Sequence, residues 1–287
     1  MIHPIVVGGT TESYPNDLRT TVPTNTMLHS VTKHLDPAHF APARWVGYPA
    51  KYGDGGAYET SVNQGMWATL LAMLEISGSA GDNDPWYQDN HFWLIGYSQG
   101  ATVIRRLNEE LLKTNSLPVM RRKIAGISGV ADPYRPVGVA LGFDPGGFGV
   151  AGTANWDKGT PMLQIAASRD PICAAPYNSY IRTVADFTGY MSFTKPGDLA
   201  KWASEVIRRI QNRGWQNANL DWGQFWLTGM RVAEAVDQLG GYLPKSPLNP
   251  GGGRHTCYNI EKMPNSPFTY CERMAQEMNT IARRENL

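Results

Sequence analysis

The sequence predicts an α/β protein whose parallel sheet is covered on both faces by helices. Short apolar runs alternate with stretches of helical periodicity over the first 176 residues, which is the pattern of strands joined by crossover helices. The chain has 287 residues, 42% of them hydrophobic, enough for one large α/β domain with an insertion. The alternation then breaks: residues 177–245 carry helical periodicity only, notably at 198–212 and 221–239. The expected division is a catalytic domain formed by 1–176 and 246–287, interrupted by a helical linker or lid at 177–245.

Each element has a local reason. Ile5-Val-Val7 followed by Gly8-Gly9-Thr10-Thr11 reads as a buried strand ending in a glycine turn. Residues 44–48, before Pro49, are a second strand. Residues 63–77 read as a helix, with Trp67, Leu70, Leu71 and Leu74 at i, i+3, i+4, i+7 spacing on its apolar face. After a polar loop at 78–90 comes a strand at 92–95. A helix follows from 99 to about 114 with Ala101, Ile104, Leu107 and Leu111 on one face. Residues 123–130 and 162–167 are two further strands, each soon followed by an acid, Asp132 and Asp170. A Pro/Gly-rich stretch at 244–253 leads to a closing helix near 267–286.

Composition removes several function classes. Lys+Arg total 26 and Asp+Glu 25, so the net charge is +1, without the basic excess of a nucleic-acid binder. Nine Trp and thirteen Tyr with 18% charged residues describe a packed globule rather than a disordered chain. The longest largely apolar stretch, Trp67-Ala-Thr-Leu-Leu-Ala-Met-Leu74, is too short to span a bilayer. Met1 to Gly9 has neither a basic n-region nor a small-residue cleavage site, so it reads as a first strand and not a signal peptide. Cys173, Cys257 and Cys271 fit neither a disulfide framework nor a zinc site, leaving open one bridge with one free thiol. Asp82-Asn-Asp84 with Asp89 lacks the glycine and glutamate of a calcium loop, and no phosphate-binding glycine loop is present. No metal or cofactor is expected.

Gly96-Tyr97-Ser98-Gln99-Gly100 is the centre of the functional reading. A G-x-S-x-G segment between a strand and a helix makes the sharp turn of an α/β-hydrolase nucleophile, with Ser98 above the sheet. The N–H of Gln99 lies at a helix N-terminus, where it can stabilise an oxyanion; a second N–H is expected from Thr10 or Thr11, in the loop after the first strand. The serine needs a base, and in this fold the order is Ser, acid, His. Of six histidines only His255 follows Ser98, in the glycine-rich run Gly251-Gly-Gly-Arg-His255. Two acids could orient it, since both follow strands. Asp170 is the later and nearer to His255, whereas Asp132 is followed by Pro133 and fits a turn cap. Within the insertion, Trp222, Phe225 and Trp226 share a helical face with Met230 and Ala233. That face either packs the insertion onto the main domain or presents an apolar wall to an acyl chain.

Val46-Gly-Tyr-Pro-Ala50, the Gly-Tyr-Ser98-Gln-Gly turn and Asp170-Pro-Ile-Cys173 together resemble the cutinase-like serine esterases. Within that group the chain is most similar to the mycobacteriophage lysin B family of mycolylarabinogalactan esterases, from about Ile5 to Tyr258. His255-Thr-Cys-Tyr258-Asn259 is similar to the family's His-x-x-Tyr-Asn ending. The resemblance implies Ser98 as nucleophile, Asp170 as acid and His255 as base. It implies as substrate the ester joining mycolic acids to arabinogalactan. It also implies synthesis in an infected host cytoplasm without a signal peptide, and action on the host envelope during lysis by a single chain. There are departures. Secreted cutinases place a cysteine a few residues before the acid, where Ala166-Ala-Ser-Arg169 supplies none; Cys257–Cys271 is then the pair left for a bridge. The peptidoglycan-binding segment at the N-terminus of some lysin B proteins is not expected, so envelope affinity falls to the catalytic domain. The rival readings are a general cutinase or lipase, and a non-catalytic envelope-binding protein on a hydrolase fold.

Overall fold

The computed structural model describes residues 1–51, 57–78, 90–113, 118–153, 159–177, 179, 181–182, 237–238, 240–247 and 249–285. Strands β1 (Ile2–Val7), β2 (Arg44–Trp45), β3 (His91–Tyr97), β4 (Ile124–Val130) and β5 (Met162–Ile165) form one parallel sheet in the order β2-β1-β3-β4-β5. Around it lie helices α1 (His29–Thr32), α2 (Ala57–Ser77), α3 (Gln99–Lys113), α4 (Pro118–Arg122) and α5 (Tyr270–Arg284).

A parallel sheet is covered on both faces, so its strands are apolar on both. Ile5, Val7, Phe92, Leu94 and Ile127 face one side and pack with Val62, Met66 and Met73 of α2 and Val103, Ile104 and Leu107 of α3. Ile2, Val6, Trp93 and Ile95 face the other and meet Val31 of α1 and Met274 and Met278 of α5. Helix α5 starts on a capping box: Thr269 and Glu272 each accept the other's backbone N–H.

The chain runs outward from β1 to β2, then returns through α2 to β3 on the other side of β1. The strand order therefore reverses between β1 and β3, and such a switch point opens a crevice at the carboxyl ends of its two strands. The register pairs Val7 with Gly96, so the loop after β1 and the turn after β3 begin side by side.

The predicted α/β class and the strands at β1, β3, β4 and β5 agree with this architecture, and the expected apolar face of α3 is buried. Helix α2 departs from expectation. It begins six residues earlier, at Ala57, and it turns a different face inward: Val62, Met66, Leu70 and Met73 are buried. Trp67 and Leu71 are 59% and 58% exposed. The reason is close approach. A Cβ on Gly65 would stand 2.9 Å from both Tyr48 and Val103, and Ser61 and Thr69 are buried on the same side. Small residues, more than apolar ones, decide which side of α2 docks. Strand β2 is also shorter than expected. After Trp45 the chain bends onto the loop before it: a Cβ on Gly47 would lie 1.9 Å from the Asp17 carbonyl oxygen, and the Tyr48 N–H donates to Ser13.

Candidate active site

The turn after β3 is built around its two glycines. A Cβ at Gly96 would lie 2.6 Å from the Ala101 backbone, and one at Gly100 would lie 2.1 Å from the Val7 carbonyl oxygen. Only glycine lets strand β3, helix α3 and strand β1 meet this closely. Between them Ser98 takes φ +52°, a left-handed conformation that costs a serine about 1–3 kcal/mol. Its N–H donates to the Val130 carbonyl at 2.9 Å, which ties the turn to β4.

His255 stands on a short 3₁₀ turn, Arg254–Thr256, entered through Gly253 at φ +73°. Its Nε2 lies 2.9 Å from Ser98 Oγ, and its Nδ1 lies 3.1 Å from each carboxylate oxygen of Asp170. Tyr97 and Tyr242 both set their rings against the imidazole, with centroids 5.4 Å away. The Tyr97 hydroxyl also donates to the His255 carbonyl at 2.8 Å. Asp170 is fully buried. Burial opposes its ionisation, but His255, Tyr258 and the Ile172 N–H outweigh that and hold the carboxyl below its usual range. The residue before it, Arg169, is fixed at φ +61° and pairs with Asp237 at 2.7 Å.

The N–H of Gln99 opens α3, where no carbonyl one turn back can accept it. In the loop after β1 the Thr11 N–H donates to the Ala50 carbonyl at 3.1 Å, and the Gly9 N–H donates to Glu12 Oε2 at 2.7 Å. Of the two threonines expected there, Thr10 is the one whose N–H is outside these bonds. The Gln99 side chain links the neighbouring loops: its Nε2 donates to the Lys51 carbonyl at 2.8 Å, and its Oε1 lies 3.4 Å from the Thr10 hydroxyl. Thus Ser98, His255, Asp170, Gln99 and Thr10 come together at the β1/β3 switch point.

Left-handed φ values mark this edge of the sheet. Each of the five strands is followed by a loop with at least one such residue: Thr11 and Asn16 after β1, then Ala50, Ser98, Ala131 and Arg169, have φ between +48° and +69°. Backbone strain of this kind gathers where a scaffold holds functional loops.

Asp132 stays away from the imidazole. It is fully buried, accepts the Tyr134 N–H at 2.8 Å and the Gln164 side-chain amide at 3.0 Å, and is pushed up in pKa by burial. Cys173, Cys257 and Cys271 are all free thiols, so the open Cys257–Cys271 pairing is not made. Trp222, Phe225 and Trp226 lie outside the described residues, as does most of 177–245. Among the described residues no group of three or more His, Cys, Asp or Glu could hold a metal, and no helix is long and apolar enough to cross a membrane.

Sequence reasoning missed Glu12, Tyr97 and Tyr242. Glu12 is the most instructive: its Oε1 accepts the Met27 N–H at 2.7 Å while Oε2 holds Gly9, so one carboxylate sets the shape of the loop. An acid directly after the Gly8-Gly9-Thr10-Thr11 turn was the available signal.

No protein-family model and no curated protein matches the sequence. Among solved structures the chain is similar to a cutinase-like protein from Cryptococcus sp., at 14% identity over 60% of this chain and 78% of that one, with a TM-score of 0.44. It is similar to an acetylxylan esterase at 18% identity, over 66% of this chain and 94% of that one, with a TM-score of 0.42. It is similar also to lysin B from Mycobacteriophage D29 at 18% identity, over 96% of this chain and 97% of that one, with a TM-score of 0.49.

Proposed function

We propose that this chain is a carboxylic ester hydrolase working through a serine acyl-enzyme. The observation that carries the proposal is the continuous contact Ser98 Oγ to His255 Nε2, and His255 Nδ1 to Asp170, beside the N–H of Gln99. His255 takes the Ser98 proton as Oγ attacks the acyl carbon. The N–H groups of Gln99 and Thr10 hold the negative oxygen that forms. His255 passes the proton to the ester oxygen as its bond to the acyl carbon breaks, and the alcohol departs. The same imidazole then draws a proton from water as its oxygen attacks the acyl carbon, and returns that proton to Ser98 Oγ as the Oγ–acyl bond breaks and the acid leaves. Asp170 fixes the tautomer of His255 and balances the charge it gains.

For the substrate we propose the ester between mycolic acids and arabinogalactan, cleaved at the host envelope by a protein made in the infected cytoplasm. The support for this narrower reading is the set of motifs at Val46–Ala50, Gly96–Gly100, Asp170–Cys173 and His255–Asn259. The test is chromatographic detection of free mycolic acids from mycobacterial cell-wall core treated with wild type or Ser98→Ala. Release by wild type alone is the expected result. Release from small soluble esters but not from cell wall would replace the substrate by that of a general cutinase or lipase. Binding to cell wall with no ester cleaved at all would leave an envelope-binding protein.

A further inference from the structure

The triad acid has more partners than an acid that only orients a histidine needs. Oδ1 of Asp170 accepts the Ile172 N–H at 3.0 Å and faces His255. Oδ2 accepts the Tyr258 hydroxyl at 2.5 Å and lies 3.4 Å from the Cys173 sulfur. Tyr258 is itself completed by its surroundings: the Ala167 N–H donates to its oxygen at 3.1 Å, Cys173 lies 3.2 Å away, and its ring meets Tyr270 edge-on at 5.4 Å. A hydroxyl has one proton to give, and with the Ala167 N–H on its lone pair that proton is directed to Asp170. Burial keeps both the Tyr258 phenol and the Cys173 thiol protonated, so each is a donor beside the carboxylate at neutral pH. Tyr258 also lies three residues after His255, just beyond the 3₁₀ turn that carries it. One short segment therefore supplies both the base and a second grip on the acid that orients it.

We propose that Tyr258 is a positioning residue of the esterase site, fixing the Asp170 carboxylate symmetrically against His255 and drawing off part of its negative charge. This rests on the esterase reading above. A core tyrosine with a satisfied hydroxyl would contribute to stability only. A charge-withdrawing donor does more: its removal makes the carboxylate bind a proton more readily, so the acidic limb of activity moves to higher pH. Among the described residues the other groups facing this pair are few. Cys173 lies on the turn after Asp170, with Arg135 behind it. Cys257 precedes Tyr258 on the returning segment, Tyr97 faces from the turn after β3, and Glu12 and Tyr242 face His255. None of them replaces the lost hydroxyl in Tyr258→Phe, which keeps the ring.

The test follows the rate at which a fluorophosphonate modifies Ser98, across pH, in wild type, Ser98→Ala and Tyr258→Phe. The fluorophosphonate loses fluoride as Oγ bonds to phosphorus, so no ester substrate need be known. The expected result is labelling of wild type, none of Ser98→Ala, and in Tyr258→Phe a rate about tenfold lower at pH 7 with the acidic limb displaced upward by about one pH unit. Tyr258→Phe labelling at the wild-type rate with an unmoved limb overturns the proposal while the esterase reading stands. Wild type that does not label overturns both. A second measurement needs no variant: in uniformly ¹⁵N-labelled wild type, the Tyr258–Asp170 proton gives a downfield proton resonance without nitrogen coupling, distinct from the coupled Nδ1–H of His255. Absence of that uncoupled resonance also overturns the proposal.

Discussion

The carboxylate of Glu12 holds the backbone N–H of Gly9 at 2.7 Å, and so sets the loop that carries Thr10. Glu12→Ala should leave this loop free to turn the Thr10 N–H away from the developing oxyanion. Loss of one such donor costs about 10²-fold in kcat with little change in KM. Kinetics on an activated ester, with thermal unfolding as a control for folding, would check this. Wild-type kcat would show that the Thr11–Ala50 bond is enough to hold the loop.

Asp170 and Asp132 should separate cleanly in mutants. Asp170→Asn removes the acceptor for Nδ1–H and inverts the tautomer of His255, for an expected fall of about 10⁴-fold in kcat. Asp132→Asn should remain active. Its amide can still accept from Tyr134 and, with the Gln164 amide turned over, donate to Gln164 Oε1, which is buried without a partner. The reverse outcome would reassign the acid.

Gly100→Ala should destabilise rather than merely inactivate. The new methyl would press into the carbonyl oxygens of Val7 and Gly8, at 2.1 and 2.5 Å, and backbone of a central strand cannot yield. A loss of about 3 kcal/mol, or roughly 10 °C in Tm, is expected by thermal denaturation.

Asp17 gives a prediction about acid stability. Burial opposes its ionisation, but Arg19, the Trp45 indole N–H and Ser13 outweigh it and hold the carboxyl well below the usual range. A carboxyl lowered in the folded state contributes stability above its unfolded pKa and loses it as pH falls toward the folded value. Asp17→Asn should therefore be less stable than wild type by about 2 kcal/mol at pH 7. The gap should narrow below about pH 4 in urea titrations at pH 7 and pH 3. A gap independent of pH would assign the effect to packing alone.

The sequence made α3 legible and α2 only in part, for a physical reason. Helix α3 sets Arg106, Glu109 and Glu110 against a buried apolar side, so its periodicity has contrast. Helix α2 carries Trp67 and Leu71 outside and Ser61, Gly65 and Thr69 inside, so apolar spacing points to the wrong face. In the site, Ser98 follows from a local turn and His255 from chain order, both one-dimensional signals. Asp170 and Asp132 each follow a strand, and what distinguishes them is the neighbour met in space: His255 for one, Gln164 for the other. Glu12 and Tyr242 act through contacts that leave no periodic trace.

The distance along the chain between the proposed nucleophile and base also has a meaning in time. Ser98 and His255 are 157 residues apart, and Tyr258 follows His255 by three residues, just beyond its 3₁₀ turn. Synthesis runs from the N-terminus, so β1, β3 and the serine turn can assemble long before the imidazole exists. Until then Ser98 is an ordinary alcohol. Under the proposed mechanism, the nascent chain acquires its reactive oxygen only once the segment around His255 has been made and has docked beside Ser98.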